Sequence, residues 1–505
     1  MDSQILKSIS LKLHTRSYLG PKGYTIYKAD LTPKELDFIK RQLTIQPSIA
    51  SQYSQDRKPF AVYRENQAKI YVPRYFAEGS PDFAGLSLGP AKINRLSAGQ
   101  PIDLAFEGGL RPEQELVTNK FCDHVLSNPN GGGGLLSLPC AAGKTVLSLN
   151  IISRLRCKTL VVVHKEFLLN QWIERAAQFL PKARIGRIQA SVIDIEDKDI
   201  VIGMLQSLSM KSYDDAIFES FGFTIVDEVH HISSEVFSCS LFRMTTRYTL
   251  GLSATMDRKD GTTYVFKLFL GPVLYQGLAE QHEVEVRAIQ FENKCDEEFN
   301  MVINDSQGKI QYSSMITKLC AHLPRSEFIL DVVRDMIAEG DDIDTEMPSK
   351  QQIMILAHNK SLLTYLYTEI KKREIATVGY YVGGMKQEDL KESEKARVII
   401  ATYSMAAEAL DIKTLNTLIM ATPKTDIEQA VGRILRQKHS TPIVVDIVDP
   451  HAPFRQQWKK RQDFYKRKGY KVKQSDYMSY ITKKFSWKRK DALASSASSA
   501  SSSLS

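Results

Sequence analysis

Residues 131–152, GGGGLLSLPCAAGKTVLSLNII, place a short apolar strand, a tight loop and a helix in immediate succession. Leu135–Leu138 reads as the strand, and Gly143-Lys144-Thr145 opens the helix. The first N–H groups of a helix have no partner within it, so they can cradle a phosphate. Cys140, Ala141, Ala142 and Gly143 would form that cradle. Lys144 would reach the β- and γ-phosphates of ATP, and the Thr145 hydroxyl would bind Mg²⁺. Leu138 stands where the generic pattern has its first glycine. A bare Gly-Lys-Thr also fits an ordinary helix start; the strand before it and the helix after it favour a nucleotide site.

A second element follows 83 residues after Lys144. FTIVDEVHH (residues 223–231) is an apolar strand ending in two adjacent acids. A carboxylate at the end of a central strand lies beside a phosphate loop. Asp227 would hold Mg²⁺ through water, and Glu228 would polarise the attacking water. An acidic strand end that merely caps the next helix is the plainer alternative. The pairing with the phosphate loop points instead to nucleotide hydrolysis, with kinases, transporters and motors still open.

Around these two elements the chain alternates strands with amphipathic helices. GLLSL, KTLVVVH, DIVIGM, FTIVDE and TLGLSAT are separated by stretches such as EFLLNQWIERAAQFL. After residue 318 the alternation recurs in QIMILAH, TVGYYVG, ARVIIAT, TLIMAT and IVVDIVD. Such alternation predicts βαβ units and parallel sheets. Residues 1–105 differ: TPKELDFIKRQL reads as a helix capped by Thr32 with Glu35 at its third position, and short strands flank a turn at Glu65–Asn66. The expected domains are a small α+β module (1–105), two α/β domains (106–284 and 285–454), a basic helical extension (455–490) and a Ser/Ala tail (491–505).

Length and composition agree with this. At about 100–200 residues per domain, 505 residues hold roughly three. No apolar run is long enough to span a membrane, and the N-terminus lacks the apolar core of a secretory leader. Six scattered cysteines argue against disulfide or zinc scaffolds and for a reducing, intracellular setting. The net charge of +9 is concentrated in residues 455–490, where fourteen Lys/Arg face two acids. That segment fits either a polyanion partner or a solvated tail, and its aromatics either stack on bases or pack a helix.

Taken in order, the motifs resemble superfamily 2 helicases and translocases. Asp227-Glu228-Val229-His230 resembles the DEAH-type box, and Ser253-Ala254-Thr255 the motif that links hydrolysis to domain movement. Ala401-Thr402-Tyr403-Ser404 with Asp411 resembles motif V, and Gln429–Arg436 motif VI. Leu110–Gln114, Leu138-Pro139-Cys140 and GLSAT followed by Arg258 are similar to the XPB/UvsW group. PFAVYREN…KIYVPRYF is similar to relatives in large DNA viruses, including the poxvirus transcript-release helicase.

The resemblance implies two tandem RecA-like domains with ATP between them, and 3′-to-5′ movement on nucleic acid, DNA before RNA. It implies that Gln114 contacts adenine, that Arg433 and Arg436 are arginine fingers, and that His230, Ser253, Thr255, Asp411 and Gln429 couple hydrolysis to movement. Strand contacts would come from His164, Lys165, Gln206, His358 and Thr402. A monomer is expected, away from membranes, in host cytoplasm, nucleus or virion, with transcription machinery as a partner. Ala141 and Ala409 stand where relatives carry glycine. They keep alive an alternative, an ATP-gated clamp or release factor without processive unwinding.

Overall fold

A computed structural model describes residues 2–46, 59–79, 83, 86, 94–139, 142–231, 238, 240–254, 263–277, 283–342, 351–408, 412–435, 442–482 and 488–489. The chain divides into two compact units, Met1–Ala279 and Glu280–Ser505. Among the described residues no helix is long and apolar enough to cross a membrane.

The first unit opens with a helix, Asp2–Arg16, and six short strands: β1 (Tyr18–Gly20), β2 (Gly23–Tyr27), β3 (Thr44–Ile45), β4 (Phe60–Ala61), β5 (Arg64–Glu65) and β6 (Lys69–Val72). Four of them form an antiparallel sheet in the order β1-β2-β6-β5. Helix Pro33–Gln42 starts as expected: Thr32 Oγ1 accepts from the Glu35 N–H, and the Glu35 carboxylate accepts from the Thr32 N–H at 2.7 Å. The opening helix itself is absent from the sequence reading.

Eight strands follow: β7 (Gly133–Ser137), β8 (Thr159–Val163), β9 (Ile185–Gln189), β10 (Val192–Asp194), β11 (Ile200–Met204), β12 (Phe223–Val226), β13 (Tyr248–Ser253) and β14 (Val273–Gln276). They build one sheet in the order β10-β9-β11-β8-β12-β13-β7-β14, parallel throughout except for the β9–β10 hairpin. β7, β8 and β12 are buried at every position. That is why they read as continuous apolar runs rather than alternating ones. Successive residues still face opposite sides. Leu135, Leu160, Val162 and Val226 enter one cluster; Leu136, Val161, Val163 and Ile225 enter the other.

The first of those clusters also contains Ile9, Tyr24, Ile26, Ile70, Val72 and Phe76. The N-terminal module therefore shares a core with the large sheet. Arg74, only 8% exposed, ties the two by donating to the Thr246 and Arg247 carbonyls at 2.7 and 2.9 Å.

The second unit repeats the plan with β15 (Glu285–Gln290), β16 (Gln352–Ala357), β17 (Val378–Tyr381), β18 (Val398–Thr402), β19 (Leu415–Met420), β20 (Ile443–Val448), β21 (Lys471–Asp476) and β22 (Lys488–Arg489). Their order is β17-β18-β16-β19-β20-β15-β21-β22, parallel except for the last pair. The α/β class with parallel RecA-like sheets is as expected.

The basic helical extension is corrected. Helix Ala452–Arg467 begins it, but Lys471–Asp476 is a strand, paired in parallel with β15. Trp458, Phe464, Tyr465 and Tyr480 are buried in the core of this unit, so these aromatics pack rather than stack on bases. Arg461 is 1% exposed and forks onto Asp446 of β20 at 2.7 and 2.9 Å, while the Tyr465 hydroxyl donates to the same carboxylate at 3.0 Å. A planar guanidinium meets a carboxylate in this two-pronged way; an ammonium cannot.

Removing Arg461 would strand a buried carboxylate, at a cost of about 3–5 kcal/mol. Arg461→Met is expected to lower the urea midpoint of the second unit sharply, and Arg461→Lys to recover little of it. A midpoint equal to the parent's in both variants would show that the pair does not brace the fold.

Candidate active site

Parallel strands deliver their carboxyl ends to one edge of a sheet, and ligands of open α/β sheets bind outside that edge. In the first unit this edge carries the loop after β7, His164 after β8, Gln206 after β11, Asp227 after β12 and Ser253 at the end of β13. Residues far apart in sequence are therefore brought together by strand direction alone.

The phosphate loop turns at Gly143, whose φ of +78° is left-handed. It caps helix Lys144–Leu155. A Cβ added there would fall on the Gln114 amide, so glycine is required on two counts. Gln114 is buried. Its Oε1 accepts from the Arg111 N–H at 2.9 Å, and its Nε2 donates to the Ala142 carbonyl at 2.9 Å. It thus braces the loop expected to hold the phosphates.

The Lys144 ammonium donates to Glu228 Oε1 at 2.8 Å. Glu228 adopts a φ of +50°, a region an ordinary side chain avoids. This turn follows directly on β12. Local backbone strain of this kind collects at functional sites.

Asp227 is 8% exposed. Its Oδ2 accepts from the Trp172 indole N–H at 3.0 Å, and its Oδ1 from the Glu228 N–H at 3.0 Å. Burial, and then the neighbouring Glu228 charge, push its pKa up to about 6 despite Lys144 nearby. A divalent cation would relieve that crowding. Asp227 and the Thr145 hydroxyl, in the first turn of the phosphate-loop helix, fit Mg²⁺, which takes one or two protein oxygens and the rest from phosphate and water.

His230 sits in the short turn Val229–His231. Its Nδ1 lies 3.1 Å from Ser253 Oγ and 3.4 Å from Glu228 Oε2. Two of the residues expected to couple hydrolysis to movement are therefore in contact with each other, and His230 also with the acid.

The expected strand contacts occupy the same edges, each already engaged. Gln206 Nε2 donates to the His164 carbonyl at 2.8 Å. Burial pushes the His164 pKa down to about 4, so its ring is neutral. Lys165 caps helix Glu166–Phe179, and burial lowers its pKa. In the second unit His358 Nδ1 lies 2.8 Å from Thr422 Oγ1. Thr402 Oγ1 lies 3.1 Å from Ser404 Oγ and accepts from the Met405 N–H, capping the next helix. Gln429 is half-buried on helix Glu428–Gly432, and Arg433, 8% exposed, follows it in a 3₁₀ turn. Cys140, Ala141, Thr255, Asp411 and Arg436 lie outside the described residues.

The sequence reading missed Trp172. It sits mid-helix on an apolar face and reads as core. The signal was its N–H, since a fully buried indole needs an acceptor and the nearest acidic strand end is Asp227.

A phosphate loop, a paired acid and a parallel sheet define a nucleoside-triphosphate hydrolase. Residues 107–258 match the family model described as "Type III restriction enzyme, res subunit". The chain is 33% identical over 462 residues to "Putative ATP-dependent RNA helicase L396" of Acanthamoeba polyphaga mimivirus, covering 89% of this chain and 85% of that one. It is 29% identical over 381 residues to "Putative ATP-dependent RNA helicase QP509L" of African swine fever virus, covering 71% and 73%. To "Putative helicase 161L" of Invertebrate iridescent virus 6 it is 26% identical over 386 residues, covering 74% and 84%. Among solved structures, T4 UvsW is similar at a TM-score of 0.34 and 14% identity, over 88% of this chain and 96% of that one. The chain belongs to the superfamily 2 ATP-dependent helicases of large DNA viruses, and it is an ATP-hydrolysing enzyme.

Two outcomes follow from the geometry. Glu228→Gln removes the carboxylate that would polarise water and also frees Lys144 from its ion pair. ATP turnover is expected to vanish while nucleotide binding persists or tightens; normal turnover would remove Glu228 from the chemistry. Trp172→Phe keeps the ring and deletes the N–H. Partners of this kind typically govern about 10–100-fold in metal affinity. The Mg²⁺ needed for half-maximal binding of a fluorescent ATP analogue should rise accordingly, with the fold intact by circular dichroism. An unchanged requirement would reduce Trp172 to packing.

Proposed function

We propose that this enzyme is an ATP-driven motor that moves 3′ to 5′ along nucleic acid, DNA before RNA, in viral transcription, repair or replication. The observation that carries this is the Lys144–Glu228 pair beside a fixed Asp227, all at the carboxyl edge of a parallel sheet. Lys144 and Glu228 hold each other at 2.8 Å. An incoming triphosphate competes for Lys144, and Glu228 is then free to accept a proton from water. His230 touches that same acid and Ser253 touches His230, so a change in the acid's partner reaches the end of β13 through one imidazole ring.

The remaining roles belong to the same reading. Gln114 would add adenine recognition to its hold on the loop. Arg433 and Arg436 would stabilise charge on the transferring phosphoryl group as arginine fingers, a task suited to a planar, permanently charged donor. Thr255, Asp411 and Gln429 would transmit the change. His164, Lys165, Gln206, His358 and Thr402 stand at strand ends where backbone and sugar contacts would be made.

RNA is the second reading, favoured by the names of two relatives, each called an RNA helicase. The clamp alternative rests on Ala141 and Ala409, both outside the described residues.

ATP turnover measured with single-stranded DNA, duplex DNA and RNA at stated salt separates these readings. DNA is expected to stimulate most, and a 3′-tailed duplex to be displaced while a 5′-tailed one is not. Stimulation by RNA alone would reverse the preference. Stimulation without displacement on either tail would leave translocation or clamping. Arg433→Ala should abolish stimulated turnover while sparing nucleotide binding.

A further inference from the structure

The N-terminal sheet carries an alternating file of cations and rings. Arg16 Cζ lies 4.6 Å from the centre of the Tyr27 ring, and Lys69 Nζ lies 4.9 Å from Tyr27 and 5.4 Å from Tyr18. Arg95 Cζ lies 4.0 Å from Tyr18. The order is Arg16–Tyr27–Lys69–Tyr18–Arg95. Register produces it: Tyr27 is the cross-strand partner of Lys69 in the β2–β6 pair, and Tyr18 lies one strand further on, in β1. The opposite face of β6 is committed to the core through Ile70 and Val72.

Lys69 also donates to the Tyr18 hydroxyl at 3.2 Å. Arg16 pairs with Asp30 at 3.2 Å. Among the described residues no carboxylate pairs with Lys69 or Arg95. Three cations thus share a file with one acid. Like charges this close repel, and the negative faces of two rings offset that only in part. An anion would complete the arrangement.

Charge distribution says which anion. Residues 1–105 hold fifteen Lys/Arg against nine acids, whereas residues 106–279, the rest of the same unit, hold eighteen against eighteen. Within the first unit the excess of positive charge therefore lies in the module, and a polyanion is drawn there, as it is to residues 455–490 of the second unit. The rings are already covered by cations, so the contact would be to phosphates rather than bases and would carry no sequence preference. Cations held against rings lose little freedom on binding, which favours the contact further.

We propose that this file is a second nucleic-acid contact, gripping the phosphate backbone away from the strand-end loops of the motor. It rests on the reading of the chain as a nucleic-acid motor.

The test uses the full chain and a labelled duplex DNA of arbitrary sequence, with affinity measured by anisotropy across a salt series. Each lost phosphate contact lowers the log–log salt slope by about 0.9. The double variant Lys69→Gln/Arg95→Gln is expected to lower it by about 2. Turnover of ATP without nucleic acid should be unchanged, which also reports an intact fold. If the double variant loses that basal turnover, Arg95→Gln alone, at an exposed position, is expected to lower the slope by about 1. The pair Lys69→Arg/Arg95→Lys should retain the parental slope. A binding parent whose slope survives the neutralised variants overturns the file alone. A parent that binds no nucleic acid at any salt overturns the motor reading and the file together.

Discussion

Strand direction is the constraint on which the site depends. In the first unit β7, β8, β11, β12 and β13 all run the same way, so every loop that follows them opens at the same edge. A parallel sheet must return the chain across a face between strands, and those returns are the helices that bury both faces. The consequence is chemical: Lys144, Glu228, Asp227, His230 and Ser253 come from three separate strand ends yet lie within hydrogen-bonding reach of one another. The second unit obeys the same rule: His358 and Thr422 meet at its corresponding edge, and Thr402 ends the neighbouring strand there.

Within that frame the charges are poised by burial. Lysine and glutamate neutralise each other, while Asp227 is crowded by its neighbour and kept in place by an indole and a backbone amide. The crowding at Asp227 is of the kind that a divalent cation would relieve. Glu228's left-handed backbone and the glycine turn at Gly143 belong to the same economy of tight geometry.

Much of this was legible in the sequence. Parallel strands buried on both faces appear as unbroken apolar runs, so β8, β12, β16 and β20 could be read within a residue or so of their observed ends. The helix at Pro33 was legible through its cap, a local interaction written in four consecutive residues. What escaped depended on distant partners. Lys471–Asp476 has Val472 as its one apolar residue and so no apolar run of its own; it becomes a strand because β15 offers an open ladder and because Lys473 pairs with Glu285 at 2.7 Å. The opening helix buries only Ile9 and Leu13 among its described side chains, too sparse a stripe to stand out. Trp172 could be placed on a helix but not against Asp227, since no local pattern records which acid an indole will find.

The continuous core joining the N-terminal module to the large sheet has a further consequence for how such proteins change over time. Leu135, Leu160, Val162 and Val226 sit on the far face of the strands that carry the candidate site, in a cluster closed jointly by the module's Ile26, Ile70 and Phe76 and by the domain's own Phe242 and Phe266. Lineages are free to embroider the surface of the module. Cutting the module away would open part of that shared cluster to water, so a shortened chain would carry a wet flank on the sheet.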